Sequence, residues 1–150
     1  MNAVEFSLVV PCYNEEDVLP LFWAEVVPAL DAALGAAWEV IVVDDGSQDA
    51  SRMLITAQNH KDPRVKGIFL SRNFGHQAAV NTGLAAARGR FVGVMDCDLQ
   101  DPVQVLVDMY AVCKSGVDVC YGVRKNRDAP YLLKIFYSLF YIIMNRIDRK

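Results

Sequence analysis

A chain of 150 residues, 53% of them hydrophobic, carries enough apolar material for one buried core and is too short for two full domains. A net charge of −3 argues against a nucleic-acid partner. Its four cysteines, Cys12, Cys97, Cys113 and Cys120, form no C-x-x-C pair and no cluster with histidine, so neither a disulfide scaffold nor a zinc site is indicated and a reducing cytosol fits. The charge is unevenly spread. Residues 124–150 hold seven basic and two acidic side chains, a net of +5, which leaves −8 on the remainder. That asymmetry fits either a face meeting an anionic surface or a solvated tail.

Short β-branched-rich runs alternate with longer helical patterns along the chain, which predicts β-α-β units and a mainly parallel α/β sheet covered on both faces. The start shows a polar lead-in without a basic, signal-like segment, so the chain is expected to begin in the cytoplasm. The first strand is predicted over 6–11, followed by a helix over 15–34 interrupted by Pro20 and Pro28. A strand over 38–43, a helix over 50–59, a strand over 65–70 and a helix over 76–88 come next. A fourth strand over 91–95 leads to a helix over 102–114, with Pro102 in its first turn and Asp101 as its N-cap. A fifth strand is expected over 117–121 and a last, aromatic-rich helix over 131–144. The apolar run inside that last helix is about half of a membrane span, so it reads as a helix lying in the bilayer interface or as a core helix.

The polar residues that stand out all follow predicted strands, at the carboxyl edge where open α/β sheets bind ligands. Asp96-Cys97-Asp98-Leu99-Gln100-Asp101 offers hard oxygen ligands without a thiolate and histidine set, which suits Mg²⁺ or Mn²⁺ bridging phosphates. Alternation puts Asp96, Asp98 and Gln100 on one side and Cys97 on the other. Asp44-Asp45-Gly46-Ser47 places two adjacent acids before a tight turn, with Ser47 or Asp49 available to cap the next helix. In Pro11-Cys12-Tyr13-Asn14-Glu15-Glu16, Tyr13 can stack on a nucleobase, while Asn14 serves equally as an N-cap. Arg124 and Arg127, flanking Lys125, are suited to clamping phosphate oxygens. No G-x-G-x-x-G follows the first strand, which sets aside a dinucleotide-binding dehydrogenase.

The segments VVPCYNEE, VIVVDDGSQD, LSRNFGHQAAVNTGLAAARGRFVGVMDCDLQDP and YGVRKNR occur in this order from about residue 6 to residue 146. Together they resemble the inverting, A-type-fold glycosyltransferases of family 2, in the branch whose acceptor is a polyprenyl phosphate. The resemblance implies a Rossmann-like A-type fold and metal-dependent transfer of a sugar from a nucleotide-sugar donor, by family preference a UDP-sugar. It implies that Pro11, Tyr13 and Glu15, with Asp44 or Asp45, hold the nucleoside, and that Asn73, His76 and Gln77 line a segment closing over the donor. Asp96, Asp98 and Gln100 would bind the metal, Asp96 also meeting the donor, and Asp98, Arg124 and Arg127 would serve the reaction. On this reading residues 1–129 form the catalytic domain and 130–150 an amphipathic segment. Residues 130–146 would meet the membrane surface, on its cytoplasmic face, or pair with another copy in a homo-oligomer. The branch continues past this helix, so the chain reads as a fragment of a longer enzyme. Two alternatives remain open: a sibling enzyme that glycosylates a saccharide or protein hydroxyl, and a non-catalytic nucleotide-sugar-binding module.

Overall fold

A computed structural model describes residues 3–123; the expected helix over 131–144, the basic tail, Arg124 and Arg127 lie outside the described residues. The described chain runs β1 (Phe6–Cys12), α1 (Leu19–Leu34), β2 (Trp38–Asp44), α2 (Ser51–Lys61), β3 (Val65–Phe69), α3 (His76–Ala86), β4 (Phe91–Val94) and α4 (Val103–Lys114). The four strands form one sheet in the order β3-β2-β1-β4. Every neighbouring pair is parallel. The order places the chain reversal between β1 and β4, the position at which a doubly wound sheet opens a crevice.

Both central strands are buried along their whole length, as β-branched runs sandwiched between helical layers must be. Period-two alternation then divides their side chains. Phe6, Leu8, Val10 and Cys12 of β1 join Val40 and Val42 of β2 in a core with Phe22, Trp23 and Val26 of α1, Ile55 of α2, and Leu106 and Tyr110 of α4. On the other face Ile41 and Val43 pack with Ala79 of α3. α3 lies close on the sheet because it is small-sided: a Cβ at Gly83 would overlap the side chain of Val9.

Polar side chains anchor α3 at its far end. The buried Glu39 accepts hydrogen bonds from Ser7 Oγ (2.7 Å) and the Arg88 N–H (2.9 Å) and pairs with Lys66, while Ser7 Oγ accepts the Gly89 N–H at 2.8 Å. Burial raises the Glu39 pKa, but the hydrogen bonds from Lys66, Ser7 and the Arg88 N–H outweigh it, so the net shift is downward.

Most predicted elements are present, with shifts that have local causes. α1 starts at Leu19 rather than at residue 15, with Pro20 in its first turn, and it runs on through Pro28. α4 has Pro102, not Asp101, at its N-cap, with no side-chain capping bond, because Pro102 is extended (ψ 134°) and the helix begins after it. The expected strand over 117–121 is not formed. β4 pairs only with β1 among the described residues, and the segment runs beside its free edge without a backbone ladder, leaving Val119 and Tyr121 exposed.

Replacing Glu39 with Gln should lower stability at neutral pH by about 2 kcal/mol, the scale of a hydrogen bond to a charged group. The depressed Glu39 pKa contributes stability that is complete above the ordinary carboxylate pKa and is lost as the pH falls through the lower folded value. Thermal melts from pH 7 to pH 3 should therefore fall less steeply for Glu39→Gln than for the wild type. Gly83→Ala should destabilise by ~1–3 kcal/mol despite the better helix propensity of alanine, because the methyl has no room against Val9; a denaturant titration measures it.

Candidate functional site

The loops leaving β1 and β2 emerge side by side, since the register sets Cys12 opposite Asp44. They are stitched by side chains that accept each other's backbone N–H groups. Ser47 Oγ accepts from Asn14 (2.9 Å) and Asn14 Oδ1 from Gln48 (2.8 Å). Ser51 Oγ accepts from Glu15 (2.8 Å), Asp49 from Glu16 (3.1 Å), and Glu16 Oε2 from Ala50 (2.7 Å). Asn14 is therefore no N-cap of α1; it adopts a left-handed φ of 55° and bridges to the neighbouring loop. Ser47 is likewise engaged with Asn14, and Asp49 bonds the first N–H of α2 at 3.0 Å.

The two acids at the end of β2, Asp44 within the strand and Asp45 just past it, part company. Asp44 points into the α1/α2 layer with its side chain fully buried, accepts the Ser47 N–H at 3.0 Å and faces Arg52 at 3.6 Å. Asp45 points to the α3 face and accepts the N–H groups of Phe74 (2.8 Å) and Gly75 (2.9 Å). Gly46, at φ 76°, lies so close to the backbone of Arg72 and Asn73 that no Cβ fits there.

These loops and the end of β4 enclose a cleft of ≈ 400 Å³ lined by Pro11, Tyr13, Glu15, Asp45, Asn73, His76, Asp96 and Asp98, with Cys12, Gly75, Ala79 and Cys97 between them. His76 Nδ1 stands 3.9 Å from Asp96 Oδ1 across it. Of the expected site residues, Asp44, Gln77 and Gln100 are not part of this lining. Asp44 is turned away by strand alternation. Gln77 is exposed and donates to Asn81 one helical turn on (3.1 Å), and Gln100 is exposed beyond a turn in which its N–H donates to Asp98 Oδ1 at 3.0 Å. The left-handed Leu99, φ 56°, breaks the extended alternation that would have carried Gln100 to the side of Asp96 and Asp98.

Cys12 and Cys97 are both buried at the cleft floor, and no spacing or neighbouring residue type in the chain singles them out as functional. Alternation around Asp96 and Asp98 does place Cys97 inward. Its Sγ lies 3.7 Å from the Pro11 carbonyl, and its pKa is pushed up, first by the Cys12 thiol and then by burial.

The cleft is electronegative. Burial, then the charges of Asp98, Asp49 and Asp96, raise the pKa of Glu15. Among the described residues no three His, Cys, Asp or Glu side chains converge as a ready metal cage. Asp96 and Asp98 alone fit the way Mg²⁺ binds in phosphate sites, through one or two carboxylates with phosphate and water supplying the rest.

A family model described as glycosyl transferase family 2 matches residues 7–148. The chain belongs to glycosyl transferase family 2. It is 36% identical over 143 residues to an uncharacterized glycosyltransferase, YkcC, of Bacillus subtilis, covering 95% of this chain and 44% of that protein. It is 32% identical over 145 residues to the undecaprenyl-phosphate 4-deoxy-4-formamido-L-arabinose transferase of Salmonella paratyphi B, covering 96% and 44%. The chain thus spans less than half the length of these curated relatives. Among solved structures it resembles S. aureus TarS 1-349 in complex with UDP, with a TM-score of 0.59 and 29% identity over 85% of this chain and 38% of that one. The Rossmann-like sheet of this family 2 chain is that of the A-type glycosyltransferases.

Thiol labelling of the native protein checks the cleft floor. Cys113 and Cys120, both partly exposed, should react with iodoacetamide at pH 8, whereas Cys12 and Cys97 should react at least tenfold more slowly until the chain is unfolded.

Proposed function

We propose that this chain is the donor-binding part of an inverting glycosyltransferase that moves a sugar from a UDP-linked donor to a polyprenyl phosphate, with Mg²⁺ or Mn²⁺ as cofactor. The observation that carries the reading is the single cleft in which Pro11, Tyr13 and Glu15 from the end of β1, Asn73 and His76 from the start of α3, and Asp96 and Asp98 from the end of β4 meet. UDP is supported by the likeness to TarS, solved with that nucleotide. The acceptor class is supported by the relative named for transfer to undecaprenyl phosphate.

On this reading Tyr13, 42% exposed at the cleft mouth, offers its ring face to the base, with Pro11 and Glu15 beside it. Asp96 and Asp98 would hold the metal, which neutralises charge on the departing diphosphate when bound. Without a cation, two aspartates and Glu15 would repel the phosphates; burial first, and then the charges of Asp98, Asp49 and Asp96, already shift the Glu15 pKa upward. A phosphate acceptor is already anionic at neutral pH, so attack on the anomeric carbon requires positioning and charge stabilisation and no general base. His76 therefore needs no role as a base.

Arg124 and Arg127 would contact the phosphates, and residues 130–146 would meet the cytoplasmic face of the membrane; both lie outside the described residues. Among the described residues no helix is long and apolar enough to cross a membrane.

Calorimetric titration of UDP with Mn²⁺ should give saturable binding that chelator removes, and Asp98→Ala should weaken it at least tenfold while leaving the melting temperature within a few degrees. GDP binding as tightly as UDP would overturn the donor assignment, and metal-independent binding would overturn the role of Asp96 and Asp98.

A further inference from the structure

The floor of the cleft holds two thiols that come from different strands. The parallel ladder of β1 and β4 runs from Phe6 with Phe91 to Val9 with Val94, and the Met95 N–H still donates to the Val9 carbonyl at 3.1 Å. Carried three residues on, that register sets Cys97 opposite Cys12. Neighbouring strands lie about 4.8 Å apart, inside the range of about 4.4–6.8 Å between Cα atoms that a disulfide accepts. Both side chains turn to the same face, into the core that also holds Leu8, Val10 and Met95, and each residue is 3% exposed. The Cys97 Sγ–H donates to the Pro11 carbonyl at 3.7 Å, so this sulfur already leans towards β1. The Cys12 thiol is near enough to be the first cause of the upward shift of the Cys97 pKa.

Each thiol is set between residues that the proposed function uses. Cys12 lies between Pro11 and Tyr13, on the nucleoside side, and Cys97 between Asp96 and Asp98, on the metal side; all of them line the same cleft. A sulfur–sulfur bond of about 2.05 Å is shorter than any non-bonded contact between two thiols. Closing it therefore draws the two loops together. In a site that depends on geometry, a misplacement of about 1 Å can cost about 100-fold.

Resting on the donor-cleft reading, we propose that Cys12 and Cys97 form a dithiol modification site, whose reversible oxidation by a peroxide joins the two loops and suppresses donor binding. One sulfur, as thiolate, attacks the peroxide O–O bond, which gives a sulfenic acid and hydroxide; the second thiol then displaces the sulfenic oxygen as water and forms the S–S bond. In sum, two thiols and hydrogen peroxide give one disulfide and two waters, and the two electrons that leave the sulfurs reduce the O–O bond. Burial and the raised Cys97 pKa make the pair slow, so it answers to sustained oxidant and to a small uncharged one.

Hydrogen peroxide treatment of a Cys113→Ser/Cys120→Ser variant, in which the cleft thiols are the only two, tests the site. The mass should fall by two hydrogens, and a peptide map made without reductant should join the Cys12 and Cys97 peptides. The same map of the wild type guards against a variant that fails to fold. By calorimetry the oxidised chain should bind UDP with Mn²⁺ at least tenfold more weakly than the reduced chain, and dithiothreitol should restore the affinity. Amide chemical shifts of Tyr13 and Asp98, compared between the reduced and oxidised chains, read the movement of the loops without any ligand. No linked peptide, oxygen added to single sulfurs in its place, unchanged shifts, or a linked chain that binds UDP as tightly as the reduced one would overturn the proposal. If the reduced chain binds no UDP, the donor reading fails on its own, and the peptide map and the shifts still decide whether the dithiol site exists.

Discussion

The arrangement at the carboxyl edge depends on the parallel pairing of β1 with β2 in the register that sets Cys12 opposite Asp44. Strands in a sheet lie about 4.8 Å apart, so two chains leaving the same edge in the same direction must run side by side with their N–H groups turned toward one another. Each such group can donate to an acceptor on the other loop, a bond with a net contribution of about 0.5–1.5 kcal/mol. Asn14, Glu16, Ser47, Asp49 and Ser51 supply these acceptors across the gap between loops. The polar richness of both segments thus has a structural cause before it has a chemical one, and Tyr13 and Glu15 are held at the cleft by neighbours that never meet a ligand.

The same register, continued to β4, brings a third strand end to the site. β1 pairs with β4 from Phe6–Phe91 to Val9–Val94, and the Met95 N–H still donates to the Val9 carbonyl at 3.1 Å. Asp96 and Asp98 then emerge across from α3, with Cys97 packed beneath them against the end of β1. Burial first, and then the charges of carboxylates gathered from separate strands in this way, raise the Glu15 pKa. A site of this kind is suited to a cation-bridged anion rather than to a bare one.

Much of this was legible in the chain. The alternation of β-branched runs with helical patterns predicted four of the strands and all four described helices, because buried parallel strands leave an unmistakable apolar signature. The position of polar clusters after each strand predicted the edge on which the cleft lies. The strand over 117–121 shows the limit of such reasoning. Val117, Val119 and Tyr121 have the composition of a strand, yet a strand is defined by its ladder, and composition does not say whether a neighbour is present. Asp44 and Asp45 show a second limit. Adjacent acids look equivalent in a sequence, but strand alternation sends one into the α1/α2 layer and the other toward α3.

What the sequence determined by itself was the class of chemistry: hard oxygen ligands, an aromatic face and a sheet edge, in an order that resembles one family. Hydrophobic periodicity and side-chain type are local properties, so they can be read without coordinates. Only the tertiary structure decided which of those residues share a cleft. It excluded Asp44, Gln77 and Gln100 from the lining and committed Asp45 to the backbone of a distant loop. That division follows from the hydrogen bond itself. A carboxylate thirty residues from its donor has no mark in the sequence, because the partner is a main-chain N–H that every residue but proline possesses.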